Sequence, residues 1–170
     1  NALADVLSGK VNPSGKLPFT FPVALADCPV TTEEQYPGIL GEDGIYQAYY
    51  TEGIYVGYRW YEAKGIKPLF AFGHGLSYTT FEYGQAKVSS KNMKNSLKIT
   101  IPVTNTGSVA GAEVVQLYIA DKEASVDRPV KELKGFEKVW LEPGETENVE
   151  FTIDRSALSF YDESSKSWVA

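Results

Sequence analysis

The chain has 170 residues, of which 43% are hydrophobic and 22% are charged, and its formal net charge is −6. This composition suffices for a packed core, whereas the acidic balance argues against a nucleic-acid partner. The single cysteine, Cys28, excludes an internal disulfide, and no apolar run approaches the ~20 residues that a membrane-spanning helix needs. These observations leave the cellular compartment undecided.

The first segment predicts the last turns of a helix followed by extended chain. The apolar residues within 3–7 recur at helical spacing, and Gly9 with Lys10 forms a stop signal. The string NPSG at residues 12–15 predicts a turn, and residues 16–22 predict an extended piece interrupted by prolines. Because the helical pattern is already in progress at the first residue, we expect the chain to be part of a longer polypeptide.

The next part of the chain is rich in loop-forming residues. Residues 23–51 show no sustained period and carry several glycines and prolines, and loops of this length are commonly functional or held at an interface. A short helix is predicted over residues 53–62, where apolar residues have helical spacing before the stop signal of Lys64 and Gly65. The same residues also alternate as a strand would, so a strand remains an alternative.

Residues 68–83 read PLFAFGHGLSYTTFEY and separate the loop-rich part from the part that follows. Their apolar side chains are too dense for a flexible linker, which would be polar or rich in Gly and Ser. We therefore expect an anchored segment at the boundary between domains. At least one of Gly73 and Gly75 is expected at positive φ, since a Gly-X-Gly step suits such a backbone.

Beyond this boundary, apolar and polar residues alternate with a period of two. Strands are predicted over residues 97–103, 114–119 and 149–153, with another ending at Leu141. Turn signals separate the strands at residues 105–107 and 142–145. Short strands without intervening helices are typical of an antiparallel β-sandwich.

The only histidine, His74, is the first candidate for a functional residue. A metal site needs several ligands, and Cys28 is distant in sequence and unaccompanied. Spacing alone does not exclude nucleophilic catalysis. A histidine between glycines in an aromatic setting nevertheless favours a hydrogen-bonded structural role.

Carboxylates are the second candidates, because two carboxyl groups close together can divide the roles needed for hydrolysis. Glu33, Glu34, Glu42, Asp43 and Glu52 are available in the loop-rich part. A catalytic acid needs a desolvated pocket that raises its pKa, whereas these residues lie among turn formers. We therefore expect them to be solvated.

Aromatic residues form the third candidate group, and they are concentrated between residues 46 and 61. They could form a platform on which sugar rings stack. Alternatively, they could form a packed domain interface in which Arg59 stacks among the rings and donates to backbone carbonyls, and the residue types favour this packing. The seven aromatics are Tyr46, Tyr49, Tyr50, Tyr55, Tyr58, Trp60 and Tyr61. The basic residues of the later chain alternate with acidic ones, which predicts a solvated mixed surface. These are Arg128, Lys131, Lys134 and Lys138.

Several long strings resemble the C-terminal part of glycoside hydrolase family 3 enzymes, the β-glucosidase-like group. They are GHGLSYTTFEY at residues 73–83, the preceding EGIYVGYRWYEAKGIKPLF, the initial NALADVLSGKVNPSGKLPFTFP, and RPVKELKGFEKVWLEPGE at residues 128–145. The resemblance implies a mainly β fold, in which a fibronectin type III-like, immunoglobulin-like antiparallel β-sandwich is preceded by the tail of an α/β sandwich domain. It implies boundaries at 1–28 for that tail, 29–83 for an irregular connecting segment, and 84–170 for an incomplete fibronectin type III-like domain.

The resemblance also implies a function for the parent protein. In the family, a retaining β-glycosidase of the β-glucosidase or β-xylosidase type hydrolyses terminal β-linked sugars, with an aspartate nucleophile in a barrel domain and a glutamate acid/base in the α/β domain. Both motifs would precede this chain, so we assign it no catalytic, cofactor-binding or metal residue and expect no cofactor. The expected partners are the upstream catalytic domains and the parent's glycoside substrate, with association between copies left open. The alternative is a non-catalytic β-sandwich module that binds carbohydrate or protein.

Overall fold

The computed structural model describes residues 1–90 and 95–170 and divides the chain into two compact units. The sandwich unit comprises Asn1–Gly15, Leu76–Ile119 and Leu133–Ala170. The connecting unit comprises Lys16–Gly75 and Ala120–Glu132. Antiparallel strand pairs predominate, which confirms the predicted mainly β fold.

The helices are short and the long strands lie in the second half of the chain. The helices are α1 (Ala2–Leu7), α2 (Tyr58–Lys64) and α3 (Arg155–Leu158), with a single 3₁₀ turn at Leu25–Asp27. The strands are β1 (Ile39–Leu40), β2 (Tyr46–Gln47), β3 (Phe81–Tyr83), β4 (Lys87–Val88), β5 (Ser96–Asn105), β6 (Gly111–Ile119), β7 (Glu132–Leu141), β8 (Thr146–Asp154), β9 (Phe160–Asp162) and β10 (Ser167–Val169).

Strand β5 is the centre of the main sheet. It pairs with β8 along nearly its whole length, from Ser96 opposite Asp154 to Thr104 opposite Thr146. On its other side it pairs with β3 and then with β4. The alternation of residues 97–103 therefore predicted this strand correctly, because one face of the sheet is buried and the other is not.

The strand that pairs with this side of β5 is interrupted after β3, at Gly84, which lies directly beside Pro102 of β5. The Gly84 N–H donates to the Pro102 carbonyl (2.8 Å), but proline has no N–H to return. A Cβ at Gly84 would lie 2.5 Å from the Pro102 ring, so only glycine fits at this position. Pro102 is tolerated inside a long strand because the N–H that it lacks would point towards Gly84, where the neighbouring strand is interrupted.

A second sheet, β6 with β7, completes the sandwich and its core. Val115 of β6 and Leu141 of β7 pack with Val103 of β5 and Val149 and Phe151 of β8 in one buried cluster. Burying side chains of this size stabilises the fold by about 1.5–3 kcal/mol each. The predicted antiparallel sandwich is confirmed by this arrangement of sheets.

Asn105 is a polar residue within that core and is completely buried. Its side-chain oxygen accepts from the Thr79 hydroxyl (2.6 Å) and the Gly107 N–H (3.1 Å). Its side-chain nitrogen donates to the carbonyls of Val109 (2.8 Å) and Leu141 (3.0 Å). Buried polar groups are costly unless they are hydrogen-bonded, and here every side-chain hydrogen-bonding atom of Asn105 has a partner.

Two predictions of local structure were wrong in position or in kind. Helix α2 begins after Gly57 rather than at residue 53, because Gly53 and Gly57 both have positive φ and interrupt the helical path. It ends at Gly65 in the left-handed region, as the stop signal predicted. Residues 12–15 form no turn, since the side chain of Asn12 is engaged with residues distant in sequence.

The boundary segment has the predicted anchored character. Gly73 has a φ of +78°, which confirms the expectation of one positive-φ glycine. The Leu17 N–H donates to the His74 carbonyl (2.9 Å), and the Phe21 N–H donates to the Phe70 carbonyl (2.8 Å). The segment is thus fastened to the extended piece at residues 16–22 within the connecting unit.

We predict that Asn105→Ala destabilises the chain by about 3 kcal/mol or more, because it leaves several buried hydrogen-bonding groups without a partner. The measurement is the free energy of unfolding in urea. Asn148→Ala, at an exposed position of β8, is the control and should cost much less. Equal losses for the two variants would show that the buried network has no special importance.

Candidate functional site

The side chain of Asn12 fastens the N-terminal segment to the sandwich within the sandwich unit. Its nitrogen donates to the Ala110 carbonyl (2.9 Å), which lies 98 residues away in sequence. Its oxygen accepts from the Ser77 hydroxyl (3.0 Å) and from the Tyr78 N–H (2.8 Å). The Tyr78 hydroxyl in turn donates to the carbonyl of Val6 in α1 (2.8 Å). We call this arrangement the Asn12 clasp.

Gly111, at the start of β6, is required for the clasp. A Cβ at this position would lie 2.5 Å from the Asn12 side-chain nitrogen and 3.0 Å from the methyl group of Thr79. The strand therefore approaches Asn12 closely because it begins with glycine. The clasp joins α1, the start of β6 and the residues before β3 into one hydrogen-bonded group.

A second polar arrangement lies in the connecting unit, between α2 and residues 120–132. Arg59 donates to the Glu132 carboxylate (2.9 Å), and Arg128 donates to the other oxygen of the same carboxylate (2.9 Å). Lys131 pairs with Glu62 of α2 at 2.8 Å. Since Arg128 is 12% and Glu132 16% exposed, these charges are far less solvated than an ordinary surface pair.

This second arrangement, the Arg59–Glu132 network, corrects two expectations. Arg59 was expected to hydrogen-bond backbone carbonyls, but it pairs with a carboxylate from a distant segment. Arg128 was expected on a solvated mixed surface, but its side chain is largely buried between Glu132 and Asp121. Tyr55 extends the network by donating to the Asp127 carboxylate, and this hydrogen bond raises the pKa of its phenol.

The aromatic residues between 46 and 61 divide into two groups at Gly57. Those of α2 are packed: the Trp60 N–H donates to the Asp27 carbonyl (3.0 Å), and the Tyr58 ring lies 5.2 Å from that of Phe72. Tyr61 is 5% exposed, and its hydroxyl approaches the Cys28 sulfur at 4.0 Å. Of the tyrosines before Gly57, Tyr55 is half-buried and donates to Asp127, whereas Tyr46, Tyr49 and Tyr50 are exposed, Tyr50 by 83%. The packing hypothesis therefore describes α2 and Tyr55 but not the three earlier tyrosines.

The candidate carboxylates do not come together in a pocket. Glu33, Glu34, Glu42 and Asp43 are all exposed, and Glu52 accepts a hydrogen bond from Gln35 at 3.3 Å. An open depression of about 590 Å³ nearby is lined by none of them. Its lining residues are Leu25, Ala26, Val30, Thr31, Thr32 and Tyr36. Such exposed carboxylates lack the desolvated pocket in which a catalytic acid works.

His74 lies on the surface, with its ring 5.1 Å from that of Phe70. Within residues 1–90 and 95–170, no group of three or more His, Cys, Asp or Glu side chains is arranged to hold a metal ion. The same part of the chain contains no helix of the length and apolarity needed to cross a membrane.

Comparison with known proteins identifies both ends of the chain. The "Glycosyl hydrolase family 3 C-terminal domain" matches residues 1–58, and the "Fibronectin type III-like domain" matches residues 113–170. The chain is 55% identical to β-glucosidase BoGH3A of Bacteroides ovatus over 99% of its own length. It belongs to glycoside hydrolase family 3.

Other family 3 proteins show the same relationship. The chain is 52% identical to thermostable β-glucosidase B of Acetivibrio thermocellus over 98% of its length. The crystal structure of DesR, a β-glucosidase from Streptomyces venezuelae in complex with D-glucose, superimposes with a TM-score of 0.88 at 42% identity, covering 99% of this chain and 21% of DesR. The chain spans about a fifth of the length of its relatives, 22% for each of the two β-glucosidases, and corresponds to their C-terminal portion.

Sequence reasoning missed the residues that organise both polar arrangements. Asn12 was interpreted as part of a turn, and Glu132 was interpreted as a solvated charge. Asn12 lies 65 to 98 residues from its partners, and Glu132 lies 73 residues from Arg59, so no local pattern reports these contacts. The proline that follows Asn12 was the one available signal, since it limits helix and favours extended chain at Asn12.

We predict that Tyr61 makes stability depend on pH in alkaline solution. Burial and the neighbouring Cys28 raise the pKa of its phenol to about 12, above the ordinary value near 10. The neutral form is favoured in the folded chain, so this contribution is complete below pH 10 and is lost as pH rises towards 12. Unfolding experiments should show a flatter decline over this range for Tyr61→Phe than for the wild type. Identical pH profiles would contradict the assignment, and Tyr50→Phe, at an exposed position, is the control.

Proposed function

We propose that the longer polypeptide containing this chain is a retaining β-glycosidase that hydrolyses terminal β-linked glucosyl or xylosyl residues. The support is the identity of 55% and 52% to proteins named as β-glucosidases, which extends over nearly the whole chain. Retaining enzymes use two carboxyl groups about 5–5.5 Å apart. The carboxylates of the loop-rich part are exposed and lack such a setting, so we place the catalytic pair in the preceding part of the polypeptide.

In this proposal the chain braces the catalytic domains. Residues 1–28 end the α/β sandwich domain, residues 29–83 connect, and residues 84–170 form the fibronectin type III-like domain. The observation that carries the proposal is the Asn12 clasp, which hydrogen-bonds the segment after α1 to residues 77, 78 and 110. A helix belonging to one domain is thereby held on the sandwich of the next.

A second candidate function is carbohydrate or protein binding by the sandwich itself. Phe136 and Trp140 lie four residues apart on β7, a spacing that puts them on the same face, and are 68% and 58% exposed. Solvent-facing aromatic side chains on strands are the feature that such a module requires. Titration of the longer polypeptide and its Trp140→Ala variant with a cello-oligosaccharide tests this candidate. Binding that the variant loses, without loss of hydrolysis, would favour it.

We predict that the longer polypeptide hydrolyses aryl β-glucosides and that the exposed carboxylates of this chain are dispensable. Replacing Glu33, Glu34 and Glu42 by Gln and Asp43 by Asn should leave kcat unchanged within about twofold, because solvated surface groups contribute little to the transition state. Loss of turnover in any of these variants would place catalysis in this chain and overturn the proposal.

The bracing role is tested by Asn12→Ala in the longer polypeptide. The variant leaves the Tyr78 N–H and the Ala110 carbonyl without their partner, and we expect a loss of about 2 kcal/mol in stability. The KM for an aryl β-glucoside should be unchanged, since the clasp does not contact substrate in this proposal. A variant as stable as Asn148→Ala would contradict the brace.

A further inference from the structure

The connecting unit contains few fully buried apolar side chains. Among residues 16–75 and 120–132, all of which the structure describes, Tyr61 is the one large hydrophobic side chain that is buried. The sandwich unit, by contrast, has the continuous core around Val103 and Leu141. A compact unit of this size normally needs a hydrophobic core to offset the entropy lost on ordering its chain. The missing burial must come from a surface outside these residues.

One continuous group of exposed apolar residues lies on the hairpin formed by β1 and β2 and just after it. Leu40 and Tyr46 are directly opposite each other in the pairing, so their side chains are neighbours on one face. The two tyrosines that follow β2 continue the apolar run. We call these residues the hairpin surface: Ile39, Leu40, Ile45, Tyr46, Tyr49 and Tyr50, with exposed fractions from 46% to 83%.

The backbone beneath the hairpin surface is tightly determined. Gly38 has a φ of +100° and passes so close to β2 that a Cβ would lie 2.5 Å from the Gln47 carbonyl. The Gly41 N–H donates to the Ile45 carbonyl (2.9 Å), and the Tyr49 N–H donates to the Glu34 carbonyl (3.1 Å). A rigid backbone that presents apolar side chains to solvent is preorganised for binding, because little entropy remains to be lost.

The chemistry of this surface favours a polypeptide over a sugar. Sugar and small-molecule sites are concave and place a few polar groups around the ligand, whereas three of these six side chains are aliphatic. Glu42 and Asp43 lie between β1 and β2, Glu33 and Glu34 precede β1, and the Glu34 carbonyl accepts from the Tyr49 N–H; all four carboxylates are exposed. An apolar centre with a charged rim is the ordinary anatomy of a protein interface, and this rim is complementary to lysine and arginine.

We propose that the hairpin surface docks onto the preceding part of the same polypeptide, against an apolar patch rimmed by basic side chains. This inference rests on the proposed function, in which the chain is the C-terminal portion of a longer protein. The matched relatives leave ample chain for that partner, because this region covers only 20–22% of their length. Docking would bury the tyrosines and supply the core that the connecting unit lacks.

The test is chemical footprinting of tyrosines in the full-length polypeptide, read by mass spectrometry. Tyr46, Tyr49 and Tyr50 should be nitrated by tetranitromethane roughly tenfold more slowly in the native protein than after unfolding in urea, because a docked interface core excludes water and reagent. Native reactivity equal to the unfolded rate overturns the inference. Protection that develops only as protein concentration rises would indicate a second copy, and protection only with added cello-oligosaccharide would indicate a sugar platform; both overturn it.

Variants provide an independent measurement. Tyr50→Ser should lower the Tm of the full-length polypeptide by about 2 °C or more, whereas Phe136→Ser, at an exposed position of β7, should not. Hydrolysis of an aryl β-glucoside is assayed on the same wild-type sample. Hydrolysis with unprotected tyrosines overturns this inference and leaves the proposed function standing. Protected tyrosines without hydrolysis support the docking and overturn the proposed function.

Discussion

The sandwich depends on the complete burial of one amide side chain, that of Asn105. Its four side-chain hydrogen bonds reach Thr79, two residues before β3, the turn after β5 and the end of β7. Its backbone N–H and carbonyl also pair with Glu145 and Gly144 in the turn between β7 and β8. A buried amide tolerates only one geometry when all its partners are themselves fixed. The hydrogen bonds of Asn105 consequently constrain the register of the strands around it.

The two units are stabilised by different kinds of interaction. The sandwich unit has a continuous core of aliphatic and aromatic side chains from both of its sheets. The connecting unit is held by polar contacts, among them the Arg59–Glu132 network and the backbone pairing of residues 16–22 with 69–74. Partly buried ion pairs are expensive to desolvate, and they specify geometry better than they add stability. The connecting unit therefore has a well-defined conformation but few fully buried apolar side chains.

Local structure could be predicted well from the sequence, whereas contacts between distant residues could hardly be predicted at all. The alternation in residues 97–103 predicted β5, and the order of Pro143 and Gly144 predicted a turn in which Gly144 adopts a φ of +78°. These signals are intrinsic to a few adjacent residues. The role of Asn12 depends on residues 65 to 98 positions away, and the exposed hairpin at residues 39–47 lies in a stretch without periodicity. No propensity or spacing rule contains that information.

The break between β3 and β4 has a consequence for the behaviour of the protein in concentrated solution. An uninterrupted outer strand offers a row of free N–H and carbonyl groups on which another chain can pair and start a fibril. Here the strand beside β5 is cut in two at Gly84, opposite a proline that cannot donate. Neither fragment, of three and two residues, presents a template long enough for such pairing. Gly84 and Pro102 cost the sheet one hydrogen bond, and in return they protect the folded protein from self-association through this edge of the sheet.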